Sequence, residues 1–361
     1  MGLHDRPYAR ADAQPPVHGP SGRWSVTTWI IALCVAVFVI DGFLPYRLEP
    51  VRSEPLVGID PAKLAEVRPS EFSVRPPEVR LSLQGVATLG DQPVAIVDYR
   101  PVRPMEGLGY FSTAKAVWSR DPVLGASGFE VWRFISFQFL HANLNHILFN
   151  MMTLFFFGGM AERFLGGKRY LAFYLLCGTA GALMYLALNG LAIGGQALFG
   201  ESFRAPGLLF NDPATPLVGA SAGVFGVLMA AAYLAPNATV LLFFVIPMRM
   251  ATLAYGLLAF AILAVIFGWT NAGGEAAHIG GALAGWYLIR NPAHLHGFFD
   301  FLGQYDPTSR VAAARVAVRR GNVRGGVDSA EVNRILDKIT ARGIHSLTDA
   351  EKRTLREASR R

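Results

Sequence analysis

The sequence predicts an all-α polytopic membrane protein with six transmembrane helices, an outer-loop insertion and a soluble helical C-terminal tail. The first observation is composition: 52% of the 361 residues are hydrophobic and 16% are charged, whereas soluble domains carry about 25% charged residues. The second is a positive mean hydropathy of +0.34. The third is a set of six apolar segments with, or close to, the roughly 17 to 25 residues that a membrane-spanning helix needs.

The six predicted spans follow one another along most of the chain. They are Ser25–Leu44, Asn143–Phe164, Arg169–Leu188, Val218–Ala235, Met250–Trp269 and Ala276–Ile289. The last span is short and carries His278 near its start. A further apolar run, Val240–Pro247, is too short to span and is interrupted by proline, which indicates an interfacial or re-entrant segment.

Basic residues beside the spans predict their orientation. Arginine and lysine lie between spans two and three, between spans four and five, and after span six, and all three places share one side if the spans alternate. Positive charge favours the cytoplasmic side, so we expect both termini in the cytoplasm. The net charge of +7 could also indicate nucleic-acid binding. No basic-aromatic module accompanies it, so we predict contact with the lipid bilayer and none with nucleic acid.

The same reasoning divides the chain into three parts. Residues 1–24 are predicted to form a disordered cytoplasmic N-terminus without a signal peptide, because the first apolar run begins only after Trp24. Residues 25–290 form the six-span domain, in which residues 45–110 are an extracytoplasmic insertion after span one. Residues 291–361 form a cytoplasmic tail with two short helices.

Local patterns predict the structure of the loops and the tail. In the insertion, Val79–Val86 and Val94–Tyr99 flank the turn Gly90-Asp91 and predict a pair of strands. The glycine- and proline-rich segment Asn189–Pro216 predicts an irregular loop. The tail helices are expected near Ser329–Ala341 and Thr348–Ser359, the second starting with a capping box.

Two polar residues inside apolar spans are the main functional candidates. Ser221 lies in Gly219-Ala220-Ser221-Ala222-Gly223, and His278 begins His278-Ile279-Gly280-Gly281-Ala282-Leu283-Ala284-Gly285. Such residues are costly at membrane depth and indicate function; here they would supply a nucleophile and a base for hydrolysis within the membrane. Gly281 and Gly285 share a helix face with His278 and would let a neighbouring helix approach closely. An isolated serine in a span is otherwise a packing residue.

A second pair of polar residues lies in span two. His146 and Asn150 are four residues apart and therefore share a helix face. They could hydrogen-bond to a neighbouring helix, or they could form an oxyanion hole for charge that develops during acyl transfer. The histidines could instead bind a metal, but the H-E-x-x-H pattern of zinc proteases is missing. We therefore predict neither metal nor other cofactor.

These motifs together resemble the rhomboid family of intramembrane serine proteases. The resemblance covers about Phe111 to Arg290, and span one more weakly. Its motifs are Glu130-Val131-Trp132-Arg133, the segment from His141 to Asn150, Glu162 with Gly166-Gly167-Lys168, Gly219-Ala220-Ser221, and H-x-x-G-x-x-x-G at His278.

The resemblance implies a role for each matching residue. Ser221 would be the nucleophile and His278 the base, in a dyad without an aspartate. His146, Asn150 and the backbone N–H of Ser221 would form the oxyanion hole. Four of the supporting residues would lie close to the serine and the histidine: Gly219 in the serine motif, Phe225 against the histidine ring, and Gly281 and Gly285 where a neighbouring helix approaches closely. The other two, Trp132 and Arg133, would hold the outer loop at the membrane interface.

The resemblance also implies substrates and location. The substrates would be single-span or polytopic membrane proteins, cut where a transmembrane segment unwinds near the outer face. The membrane would be the bacterial cytoplasmic (inner) membrane. One alternative is a catalytically silent member that binds membrane helices for quality control. A small-solute transporter is a third class, but transporters usually show internal repeats, and none is visible in this sequence.

Overall fold

A computed structural model describes residues 24–76, 83–242 and 245–295, together with 298, 331–332, 334–335, 337–338 and 347–359 of the tail. The chain divides into two compact units, Met1–Leu295 and His296–Arg361. The N-terminus predicted to be disordered lies outside the described residues except for Trp24, and so does most of the predicted helix Ser329–Ala341.

Six long apolar helices lie in the described part of the first unit. They are α1 (Val26–Phe43), α6 (Leu144–Leu165), α7 (Gly167–Phe199), α8 (Ser221–Leu234), α9 (Met250–Ile266) and α10 (Ala272–Arg290). Four short helices precede α6: α2 (Pro61–Glu66), α3 (Pro104–Gly109), α4 (Thr113–Ala116) and α5 (Arg133–Ser136). Within α6 the residues Leu154–Gly158 form a π-helical turn.

Three of the helices, α1, α6 and α7, are both long enough and apolar enough to cross a membrane by themselves. The apolar helices α8 and α9 are shorter, with 14 and 17 residues. The chain is therefore a helical membrane protein, and the count of six spans stays a prediction.

The helix α8 lies against α7 and α10 and is buried along most of its length. Glycines make this packing close. The ring of Tyr174 in α7 lies so near Gly223 that a Cβ there would be 2.7 Å from it. On the other side, Gly281 of α10 meets the carbonyl oxygen of Ala222, and Gly285 meets the backbone of Gly226. The α8–α10 contact is therefore made largely by backbone on backbone, as small residues permit in membrane proteins.

The insertion contains a four-stranded β-sheet, which corrects the all-α prediction. Its strands are β1 (Arg47–Pro55), β2 (Phe72–Arg75), β3 (Gln84–Leu89) and β4 (Gln92–Val102), antiparallel in the order β1-β4-β3-β2. The predicted turn Gly90-Asp91 joins β3 to β4, and the predicted Val94–Tyr99 lies inside β4. The first part of the predicted strand Val79–Val86 lies outside the described residues, and β3 begins at Gln84. Alternating side chains of β4 are buried in the sheet's own apolar core, which is why a strand forms there.

Two hairpins complete the strands of this unit. They are β5 (Trp118–Asp121) with β6 (Gly125–Gly128), and β7 (Thr239–Leu242) with β8 (Ile246–Arg249). The second hairpin covers the run Val240–Pro247, for which the expectation was an interfacial or re-entrant segment. The run therefore forms two short paired strands that include Pro247, and its interfacial or re-entrant position stays a prediction.

The prediction of an irregular loop at Asn189–Pro216 is wrong for its first part, because the helix α7 continues to Phe199. The buried side chain of Asn189 explains why a polar residue does not end the helix. Its amide donates to the carbonyls of Leu209 (2.9 Å) and Asn211 (3.0 Å), and its oxygen accepts from Thr113 Oγ1 (2.6 Å). The helix ends at Gly200, which has a positive φ of 93°.

The tail unit contains α11 (Asp349–Ser359). Its predicted capping box is present: the Thr348 N–H donates to Glu351 Oε2 (2.8 Å), and the Glu351 N–H donates to Thr348 Oγ1 (3.3 Å). The Lys338 ammonium, 2.9 Å from the same carboxylate, and the Thr348 N–H together lower the pKa of Glu351 to about 2.

The backbone contact at Gly281 generates a stability prediction. Gly281→Val should lower the melting temperature of the detergent-solubilised protein, because the new side chain would have to displace the backbone of Ala222. Overpacking of this kind costs about 1–3 kcal/mol. Gly256→Val is the matched control, since nothing lies within 4 Å of the position that its Cβ would occupy in α9. Equal melting temperatures for the two variants would contradict the close α8–α10 contact.

Candidate active site

A cavity of about 690 Å³ opens among α6, α8 and α10. It brings together residues that the sequence analysis selected from three separate spans. These are His146 and Asn150 from α6, Ser221 and Phe225 from α8, and His278 from α10. A second cavity of about 660 Å³, beside the insertion, is lined by side chains of both charges and by none of these residues.

Ser221 is the first residue of α8 and follows a turn that only glycine fits well. Gly219 has a φ of 133°, which disfavours any side chain. The ring of His146 also lies against it, so that a Cβ there would be 2.6 Å from His146 Nε2 and 3.5 Å from Ser221 Oγ. The serine hydroxyl and the histidine Nε2 therefore lie on the same side of Gly219. The N–H groups in the first turn of α8 have no partners within the helix.

His146 and Asn150 face the cavity from the first two turns of α6. The helix begins where the side chain of Asn143 accepts the His146 N–H at 2.9 Å. Asn150 is buried, and its Nδ2 donates to the His146 carbonyl oxygen at 3.0 Å. Among the described residues its side chain makes no hydrogen bond to another helix. One amide hydrogen thus remains for the cavity, as an oxyanion-hole donor requires.

His278 is held from two directions. The Phe225 ring stacks on the imidazole, with centroids 4.2 Å apart and an interplanar angle of 8°. The Nδ1 atom lies 2.9 Å from Glu275 Oε2. No hydrogen bond joins Ser221 Oγ directly to His278 in the described part of the chain, and catalytic hydrogen bonds commonly shorten only when substrate binds.

Glu275 is a site residue that the sequence analysis missed. The predicted span began at Ala276, whereas α10 begins at Ala272 and places Glu275 inside the helix. The i, i+3 spacing from Glu275 to His278 puts the two side chains on one face, and that spacing could have identified the pair.

The remaining supporting residues, Trp132 and Arg133, lie away from the cavity. The Arg133 side chain is buried and donates to the carbonyl oxygens of Tyr110 (2.6 Å) and Gly107 (3.0 Å). The half-exposed indole of Trp132 donates to the Leu108 carbonyl oxygen at 3.1 Å. Both residues therefore tie the start of α5 to the segment that contains α3.

A further histidine, His141, packs edge-on against His146, with ring centroids 5.1 Å apart. Burial, and to a smaller extent the neighbouring His146, lower the pKa of His141 to about 3. The ring is therefore neutral at physiological pH. Among the described residues no group of three or more His, Cys, Asp and Glu side chains could hold a metal ion.

The fold and the cavity define a helical membrane protein that gathers a serine, two histidines and an amide side chain at one site. Residues 128–291 match the family model described as the Rhomboid domain, so the helical core is similar to that domain. Residues 322–361 match a second model, described as a family of unknown function (DUF6576).

Curated relatives cover the same core. The chain is 33% identical over 160 residues to the mitochondrial RHOMBOID-like protein 12 of Arabidopsis thaliana, covering 43% of this chain and 46% of that protein. It is 27% identical over 172 residues to Rhomboid protease GlpG of Salmonella newport, and equally to that of Salmonella typhi, covering 46% of this chain and 50% of each relative. The chain thus spans about half the length of these relatives.

The turn before Ser221 gives a second prediction. Gly219→Ala should lower the melting temperature and slow the reaction of Ser221 with a fluorophosphonate by about tenfold or more, because a misplacement of 1 Å can cost about 10²-fold. Gly207→Ala is the control. Gly207 also has a positive φ, of 85°, but nothing lies within 4 Å of the position that its Cβ would occupy, so this variant has backbone strain without contact with a neighbouring side chain. If both variants react like the wild type, His146 does not pack against this turn as described.

Proposed function

We propose that this chain is an intramembrane serine endopeptidase that cleaves transmembrane segments of other membrane proteins. The observation that carries the proposal is the single cavity that Ser221, His278, His146 and Asn150 share. Rhomboid protease relatives and the apolar helices support it. A membrane-embedded cavity with a nucleophile, a base and hydrogen-bond donors has the parts that acyl transfer needs.

In the first half of the proposed reaction, Ser221 Oγ attacks the carbonyl carbon of the scissile peptide bond and passes its proton to His278 Nε2. The carbonyl oxygen becomes an oxyanion, which the side chains of His146 and Asn150 and the Ser221 N–H stabilise. The C–N bond then breaks. The proton on His278 Nε2 moves to the leaving amine, and an ester to Ser221 remains.

In the second half, His278 takes a proton from a water molecule, whose oxygen attacks the ester carbon. The tetrahedral intermediate uses the same donors, and the proton returns to Ser221 Oγ as the C–O bond breaks. Polar side chains at the rim of the cavity, among them Asn211, Thr215 and Asn271, favour the entry of that water. The chemistry requires no metal or organic cofactor.

The proposed substrates are single-span or polytopic proteins whose helices unwind near the outer face. Substrate choice and a bacterial inner-membrane location belong to the proposal, and one of the relatives is a mitochondrial plant protein. The apolar helices and the match of residues 128–291 to the Rhomboid domain support an integral membrane protein.

The experiment that tests this function compares wild-type protein with Ser221→Ala and His278→Ala in liposomes that also contain a single-span substrate with a glycine-rich outer half. We expect cleavage and fluorophosphonate labelling by the wild type, and loss of both in each variant, because a nucleophile without its base is weak. Ser202→Ala, in an exposed loop, is the matched control and should keep both activities.

Two outcomes would contradict the endopeptidase proposal. Wild-type protein that is folded and inserted but neither cleaves nor becomes labelled would favour the catalytically silent alternative. Undiminished labelling of Ser221→Ala would show that another serine reacts.

The oxyanion hole gives a separate prediction. Asn150→Ala should reduce kcat more than it raises KM, because the contact with the carbonyl oxygen strengthens mainly in the transition state. Losing one such donor costs about 10²–10³ in kcat in a soluble protease, and the loss is expected to be smaller here because His146 and a backbone N–H remain. Thr153→Ala, one turn further along the same cavity wall, should keep near wild-type turnover. An unchanged kcat in Asn150→Ala would make Asn150 a structural residue of α6.

A further inference from the structure

A carboxylate contacts the ring nitrogen of His278 that faces away from the reaction. Glu275 Oε2 lies 2.9 Å from His278 Nδ1, which is within hydrogen-bond distance. The two side chains are 13% and 15% exposed, so water competes little for either of them. In the proposed reaction the other nitrogen, Nε2, exchanges the proton.

From this contact we propose that Glu275 is a positioning residue for the hydrolysis, which makes the site a Ser221–His278–Glu275 triad rather than a dyad. The inference rests on the proposed function. Glu275 neither gains nor loses a proton. Its carboxylate accepts the Nδ1–H, which fixes the tautomer whose Nε2 lone pair is free to take the serine proton, and it stabilises the imidazolium that then forms.

The surroundings of Glu275 hold its carboxylate in one orientation. The Asn271 side chain donates to Glu275 Oε1 at 3.3 Å, while Oε2 contacts His278. Both carboxylate oxygens are therefore engaged. The Phe225 ring covers one face of the imidazole. The carboxylate therefore restrains rotation of the imidazole within its plane, and the Phe225 ring restrains its tilt out of that plane. The arrangement leaves Nε2 as the nitrogen without a fixed protein partner among the described residues.

Glu275 also lies in the first turn of α10, where an acidic side chain stabilises a helix through its dipole. That role alone would be met by a carboxylate pointing into solvent. The burial of Glu275 and its contact with His278 go beyond it. The two roles differ in what they predict: a helix-end charge affects melting, whereas a positioning carboxylate affects turnover and its dependence on pH.

The experiment measures cleavage by wild type, Glu275→Gln and Glu275→Asp in the same liposomes, with rates divided by the number of sites that a fluorophosphonate titrates at completion. This normalisation removes any unfolded fraction. We expect kcat to fall about 10- to 100-fold in Glu275→Gln with little change in KM, less than the roughly 10⁴-fold measured for a fully buried triad aspartate. Glu275→Asp keeps the charge and should recover part of the rate. Glu201→Gln, at an exposed loop position, is the matched control.

A pH profile provides the readout that a purely structural role would not move. The acidic limb of kcat/KM reports protonation of the essential base in the free enzyme. Removing the carboxylate beside the imidazole should move this limb in Glu275→Gln, because a neighbouring negative charge favours the protonated form of a base. Glu201→Gln should leave it in place.

Each outcome decides the proposal. Lower kcat together with a shifted limb in Glu275→Gln supports it. Wild-type kcat and an unshifted limb overturn it while the proposed function stands, even if the melting temperature falls. Absence of any Ser221-dependent cleavage in the wild type would overturn both the positioning role and the proposed function.

Discussion

The position of His278 relative to Ser221 depends on a contact between two backbones. Helix α10 approaches α8 so closely that Gly281 meets the Ala222 carbonyl and Gly285 meets Gly226. Ala222 follows the candidate nucleophile directly, and Gly281 lies one turn after the candidate base. A shift of α10 away from α8 by the width of one side chain would therefore separate the two candidate residues. Because packed interiors have little spare volume, the glycines set the distance on which the proposed chemistry depends.

The second requirement is that carboxylates inside an apolar bundle have partners. An unpaired charge there is costly, and this chain supplies neighbours. The Asn271–Glu275–His278 series connects three polar side chains. At the other end of the bundle, Glu162 accepts the N–H groups of Val26 (2.7 Å) and Thr27 (3.0 Å) at the start of α1. A carboxylate thus stabilises a helix N-terminus in one case and an imidazole in the other.

The sequence was sufficient for features that depend on local pattern. The apolar runs predicted the long helices. The polar residues Ser221 and His278 stand out within these runs, and both line the same cavity. Features that depend on distant partners were missed. The strand β1 pairs with β4, from Pro55 opposite Ala95 to Arg47 opposite Val102, and no local pattern indicates a pairing between segments so far apart in the sequence. Helix α7 passes Leu188 because Asn189 finds partners in a remote loop. The predicted span six does not include Glu275, because the first turn of this helix is polar. Hydropathy therefore places the start of the span at Ala276, although the helix begins at Ala272.

The segment that follows the insertion and the segment that precedes the candidate nucleophile are joined more directly than their separation in sequence suggests. Phe111 and Leu217 exchange two backbone hydrogen bonds of 3.0 and 2.7 Å, and the Ala114 N–H donates to the Pro213 carbonyl oxygen at 2.9 Å. The Gly219 N–H then donates to the Phe137 carbonyl oxygen at 2.9 Å. The chain that enters α8 is therefore fixed at three points before it reaches Ser221. Since the first residue of a helix has no preceding helical turn to hold it, these contacts supply the restraint that the helix cannot.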